Sequence, residues 1–153
     1  MNYAWLKALR QTVPDALIRP LEVAEFEARQ VTEDAHIVLE PALGEGYRLE
    51  KAGDGYTVTG GETGVLYGTY ALIRALTAGE PLPQGPQKPW YPLRMIDCWD
   101  NMDGSIERGY AGRSLWFEGS RFDYDPARIR QLGRMLASVG VNVLCLNNVN
   151  VHA

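Results

Sequence analysis

Two polar stretches carry the residue types that could do chemistry. The first is Trp99-Asp100-Asn101-Met102-Asp103-Gly104-Ser105-Ile106-Glu107-Arg108, reached from Asp97 and continuing through Arg113. The second is Asn147-Asn148-Val149-Asn150-Val151-His152. Asp, Asn, Arg and an exposed aromatic ring side by side suit sugar recognition. Carboxylates and amides exchange hydrogen bonds with hydroxyl groups. An aromatic ring covers the apolar face of a pyranose, and an arginine can pair a substrate carboxylate. The bland alternative is that Asp100, Asp103, Glu107, Arg108 and Arg113 are turn caps and loop ion pairs, and most of them are expected to be so.

Other chemistries fit less well. An EF-hand loop read on Asn101 would need acidic ligands where Trp99 and Tyr110 stand. Glycoside hydrolysis needs two carboxyl groups facing each other across the bond. Asp97, Asp100, Asp103 and Glu107 qualify by type, but no spacing marks a catalytic pair. Cys98 and Cys145 lack CxxC or Cys/His spacing, so no metal site is expected. Buried reduced thiols are the expected reading, with a disulfide left open. Gly60-Gly61-Glu62-Thr63-Gly64 lacks the Lys-Ser/Thr of a phosphate loop and is no GxGxxG. No cofactor is expected.

The elements that must position these residues come next. Met95, Asp97 and Trp99 alternate with Ile96 and Cys98, so residues 93–99 read as a strand with Asp97 and Trp99 on the site face. The other face should meet helices. Asp125-Pro126 opens a helix with Asp at the N-cap and Pro at the first position. Its apolar stripe is Ile129, Leu132, Leu136 and Val139, and Gly140 ends it. Residues 141–147 form a second strand. Strand, long loop, helix, strand is one βαβ unit of a parallel sheet, and sites in such sheets lie beyond the carboxyl ends of strands. Such a unit leaves sheet edges exposed, which favours self-association.

Upstream, Tyr47-Arg48-Leu49-Glu50-Lys51 and Tyr56-Thr57-Val58-Thr59 alternate around Gly53-Asp54-Gly55, a hairpin pattern. Residues 36–39 read as a strand. A helix is expected from about Gly61 to Leu76, with Gly68 allowing close packing on the hairpin. Residues 21–30 are undecided between helix and strand, and residues 3–11 between a short helix and an irregular leader. The expected division is an α+β domain at 1–80, a Pro/Gly-rich linker at 81–91, and the βαβ unit at 92–153.

Composition bounds the rest. The chain has 153 residues, 46% hydrophobic, with a net charge of −4. The acidic balance disfavours nucleic acid as a partner. No secretion signal or apolar span is visible, so neither membrane association nor export is expected, and the cytoplasm is the expected compartment.

The string WDNMDGSIERGYAGRS at residues 99–114 resembles family 67 α-glucuronidases. VGVNVLCLNNVNV at residues 139–151 is similar to the next family segment. Gly46-Tyr47-Arg48-Leu49 and Thr63-Gly64-Val65-Leu66-Tyr67-Gly68 are similar to the end of the family's N-terminal domain, a pattern shared with hexosaminidases. The resemblance implies a hexosaminidase-like α+β N-terminal domain followed by the first two strands of a (β/α)8 TIM barrel. It implies inverting hydrolysis of (4-O-methyl-)glucuronic acid from xylooligosaccharides derived from glucuronoxylan. The family's catalytic carboxylates and uronate-binding basic residues are implied to lie on later strands, so no catalytic residue is assigned here. What carries over is pocket wall: Trp99 and Val149 against the sugar, with Asp97, Asn147 and Asn150 beside them. The expected chain is thus an α-glucuronidase fragment, inactive alone, with the remainder of the barrel on another chain or missing. The alternatives are a non-catalytic carbohydrate-binding or interaction module on the same fold and a hexosaminidase-like fragment, which the 99–114 string disfavours. The chain departs from the family before His36, where it is short of a helix.

Overall fold

The structure is a computed structural model and describes residues 13–146. It divides into two units. The first runs to Pro92 and takes in Arg134–Gly140; the second holds Leu93–Gly133 and the chain from Val141.

The first unit is a three-stranded mixed sheet with two helices. Helix α1 spans Pro20–Arg29, strand β1 Ala35–Leu39, β2 Tyr47–Ala52, β3 Gly55–Gly60, and helix α2 Glu62–Ala78. The strand order is β1-β3-β2. β1 runs parallel to β3 with Ile37 opposite Val58, and β2 runs antiparallel to it with Leu49 opposite Val58. The expected hairpin is therefore present, closed by a tight turn in which Gly53 takes φ +63°. Leu49 and Val58 are buried, as the alternation requires, and join Ala24, Val65, Ala71 and Leu72 in one core.

The undecided segment at 21–30 is helical, and so a helix does stand before β1. Pro20 occupies its first turn, where a missing N–H costs nothing. Glu22 reaches back to accept from the Arg19 backbone N–H and guanidinium, closing the N-terminus as a capping box does. The glycines at the start of α2 also find their reason. A Cβ on Gly64 would lie 2.1 Å from the Gly46 carbonyl oxygen, and one on Gly68 would lie 2.7 Å from Val58 Cγ1. The helix needs both to approach the hairpin, which is a packing role.

The Pro/Gly-rich stretch is tied to the sheet. Gln87 and Tyr47 exchange backbone hydrogen bonds at 2.7 and 2.9 Å, adding one antiparallel bridge at the outer edge of β2.

The second unit holds strand β4, Met95–Cys98; two short strands, β5 at Phe117–Glu118 and β6 at Arg121–Phe122; the start of helix α3, Pro126–Ser138; and β7, Val143–Leu146. β4 and β7 pair in parallel, Met95 with Val143 through Cys98 with Leu146. Asp125 Oδ1 accepts the Ala127 N–H at 2.9 Å, so the expected N-cap is in place. Strand, loop, helix and parallel strand follow in the order expected.

Two packing expectations fail. The face of β4 opposite Asp97 is not covered by helix: Ile96 is 43% exposed. Helix α3 itself divides at Arg134, from which residue it belongs to the first unit. The expected stripe on α3 is also out of phase near its end. Val139 is 55% exposed, while Arg134 and Ser138 are buried.

Candidate functional site

Asp97 and Trp99 lie on one face at the carboxyl end of β4, as alternation requires. The Trp99 indole Nε1–H donates to Asp97 Oδ2 at 2.9 Å. The Trp99 carbonyl accepts the Glu107 N–H at 2.8 Å, so its backbone is fixed as well. The residue remains 44% exposed. The end of β4 thus presents a held aromatic surface to solvent.

Asp97 sits opposite Cys145 in the parallel register, while Cys98 sits opposite Leu146. The two cysteines therefore occupy opposite faces of the sheet, and both are free thiols. The disulfide left open by the sequence is excluded. Burial pushes the Cys98 thiol up, and the Asp100 and Asp97 carboxylates push it further. Burial also raises Cys145, followed by its hydrogen bond to Asp97. Neither thiol gains the thiolate character a nucleophile needs.

The loop behind Trp99 is built from its own polar groups. Asp100 is buried and accepts the Ser114 hydroxyl at 2.5 Å and the Leu115 N–H at 3.1 Å. Ser114 Oγ in turn accepts the N–H groups of Trp116 and Phe117, both at 2.9 Å. Asn101 is buried, and its amide donates to Ser105 Oγ and to the Glu107 carbonyl. Asp103 Oδ1 accepts both the N–H and the hydroxyl of Ser105. A hydrogen bond to Glu107 raises the Tyr110 hydroxyl, and Glu107 itself holds φ +52°. Asp100, Asp103 and Glu107 are therefore engaged in building the loop, as the bland alternative anticipated for most of its charged residues.

An open groove of about 860 Å³ lies in the same unit, with Arg113, Phe117, Tyr124 and Arg128 among its lining residues. Phe117, Phe122 and Tyr124 stack in sequence at 5.6 and 5.1 Å between ring centroids. Neither Asp97 nor Trp99 lines this groove. Asn147, Val149 and Asn150, with His152, fall outside the described residues. Among the described residues no cluster of His, Cys, Asp or Glu could hold a metal ion, and no helix is long and apolar enough to cross a membrane.

Residues 78–153 match the glycosyl hydrolase family 67 middle domain, and this span contains Asp97, Trp99 and the whole loop. The chain belongs to glycosyl hydrolase family 67. It is 40% identical over 116 residues to the probable α-glucuronidase A of Aspergillus oryzae, covering 74% of this chain and 14% of that protein. It is 37% identical over 131 residues to the probable α-glucuronidase A of Aspergillus niger, covering 83% of this chain and 15% of the relative. The Aspergillus fumigatus protein of the same name is 43% identical over 93 residues, 60% of this chain. The chain thus spans about one seventh of the length of the curated relatives it matches. The family 67 resemblance drawn from residues 99–114 is borne out.

One buried polar cluster among the described residues is announced by no pattern in the sequence. In the first unit Glu27 and Arg134 form a bidentate pair, Nε to Oε1 at 2.5 Å and Nη2 to Oε2 at 2.8 Å. Tyr70 donates to the same carboxylate at 3.2 Å. No sequence motif connects residues 107 positions apart.

Proposed function

We propose that this chain supplies one wall of the uronic-acid pocket of an α-glucuronidase acting on (4-O-methyl-)glucuronic acid linked to xylooligosaccharides. Trp99 is the platform against the sugar ring. The family resemblance assigns Val149 to contact with the uronic acid and its 4-O-methyl group, with Asn147 and Asn150 as lesser contributors. In this reading β4, α3 and β7 are the first βαβ unit of a (β/α)8 barrel, and the first unit is a hexosaminidase-like N-terminal domain.

The half-exposed Trp99 ring, fixed through both its indole and its backbone, carries the proposal. A rigid aromatic plane loses little entropy when a pyranose stacks on it. The curated relatives' name supports the substrate class. The engagement of Asp100, Asp103 and Glu107 in the loop supports a second element: the acid and base of the inverting reaction come from outside these 153 residues.

The test is an assay of the purified chain on aldouronic acids, with glucuronic acid release as readout. No release is expected. Sustained release would overturn the assignment of the acid and base to other residues. Sugar binding that persists unchanged after Trp99→Ala would favour the alternative of a carbohydrate-binding module with its site elsewhere, such as the aromatic-lined groove.

A further inference from the structure

We propose that Asp97 is a positioning residue that fixes the Trp99 ring, and is not itself a ligand of the sugar. This rests on the reading of Trp99 as the platform. The Trp99 indole N–H points at Asp97 Oδ2 across 2.9 Å, within one strand face. Cys145 lies opposite Asp97 in the parallel register, and the carboxylate adds to what raises its thiol. Asp97 Oδ2 is therefore engaged by the indole before any sugar arrives. A sugar hydroxyl bonding the same oxygen would compete with the indole for it.

The consequence for the platform is geometric. A tryptophan on an exposed strand end turns freely about its side-chain torsions. A hydrogen bond from its one polar atom to a carboxylate two residues earlier selects a single ring orientation. The Glu107 bond to the Trp99 carbonyl fixes the backbone beneath it. Trp99 remains 44% exposed with its one polar atom already bonded, and an aromatic π face is the surface a sugar ring stacks on. A carboxylate beside that face also disfavours any pose that brings a uronate carboxylate next to Asp97, because like charges repel. The uronic acid must then lie with its carboxylate turned away from β4.

The full chain, labelled with 15N at its four tryptophans, tests this without sugar. Asp97→Leu keeps the branched shape and removes the acceptor; Asp97→Asn keeps an acceptor oxygen. In the leucine variant the Trp99 indole resonance should move and its proton should exchange roughly tenfold faster, as expected on losing one hydrogen bond to a charged group. The asparagine variant should restore most of the protection. The resonance of the buried Trp116 indole reports that both variants are folded. An unchanged Trp99 resonance in the leucine variant overturns the proposal, as does equal loss of protection in both variants. Glucuronic acid added afterwards separates the two readings. If the indole responds to Asp97→Leu but sugar affinity is unaffected by Trp99→Ala, the pocket reading fails and the hydrogen-bond assignment stands. If Trp99→Ala abolishes binding while Asp97→Leu leaves both the indole and the affinity unchanged, the pocket reading survives and the positioning role fails.

Discussion

Glu27 on α1 and Arg134 on α3 face each other as a two-pronged ion pair, with the guanidinium 6% and the carboxylate side chain 1% exposed. Burial works against the arginine's charge, but the hydrogen bonds and charge of Glu27 more than offset it, and its pKa is raised. Arg74 adds a hydrogen bond from its guanidinium to the Ser138 carbonyl at 2.7 Å, at the end of the same helix. The last turn of α3 is thus held in the first unit by polar contacts, where an apolar stripe was expected to do the work.

Removing one member of this pair should be costly, because it strands the other charge in a dry site. Arg134→Met alone, or Glu27→Leu alone, is expected to destabilise the chain by about 3–5 kcal/mol. Arg134→Met combined with Glu27→Leu should recover most of that loss. Urea unfolding of the two single variants and the double variant checks the cycle. Additive losses in the double variant would mean the two side chains do not act as a pair.

Tyr70 predicts an alkaline limit. Burial raises its hydroxyl above the ordinary value of 10.0, and the neighbouring Glu27 charge adds to that. The folded state holds Tyr70 neutral where the unfolded chain would ionise it. Its contribution is therefore complete below about pH 10 and is lost as pH rises above that value. Melting temperature followed upward from pH 9 should fall more steeply for the natural chain than for Tyr70→Phe. The phenylalanine variant should start about 0.5–1.5 kcal/mol lower at neutral pH for want of the bond to Glu27. Parallel pH curves would contradict this.

The glycines of α2 differ in what confronts them. At Gly64 the obstacle is the Gly46 backbone, which cannot move aside. At Gly68 it is the end of the Val58 side chain, together with Tyr47. Alanine gains about 1 kcal/mol of helix propensity at either site, but overpacking costs about 1–3 kcal/mol or more. Gly64→Ala should therefore be clearly destabilising, and Gly68→Ala less so. Thermal unfolding of both variants decides it, and a neutral Gly64→Ala would refute the close approach.

Asp100 organises the loop behind Trp99. Asp100→Ala should leave the Ser114 hydroxyl and the Leu115 N–H without their acceptor, at a cost of about 1–3 kcal/mol. Hydrogen exchange at Leu115 should quicken, while exchange in β2 and β3 stays as it was. Unchanged protection at Leu115 would mean the loop is held by other contacts.

What the sequence revealed follows from how local each signal is. The β2–β3 hairpin, α2 and the cap of α3 are specified by residues within a few positions of one another. Alternation around Gly53, the glycine at the start of α2, and Asp125 before Pro126 each read directly. The close placement of Asp97 and Trp99 was legible for the same reason, since a strand puts i and i+2 on one face. The hydrogen bond between them was not, because the alternation does not tell which way an indole turns. Residues 21–30 carried propensity for helix but weak periodicity, and packing on α2 resolved them. Arg134 was unreadable as a buried residue: a lone arginine on a helix belongs in water unless a carboxylate meets it, and Glu27 comes from the far end of the chain. Leu136 took its expected buried place; Val139 did not, because the helix ends at Ser138.

Titration of glucuronic acid into the 15N-tryptophan-labelled chain tests the pocket wall most directly. A saturable shift at the Trp99 indole, lost in Trp99→Ala and absent at the other three tryptophans, is the predicted result. A sugar response confined to another indole, or no response at Trp99 at any concentration reached, would contradict it.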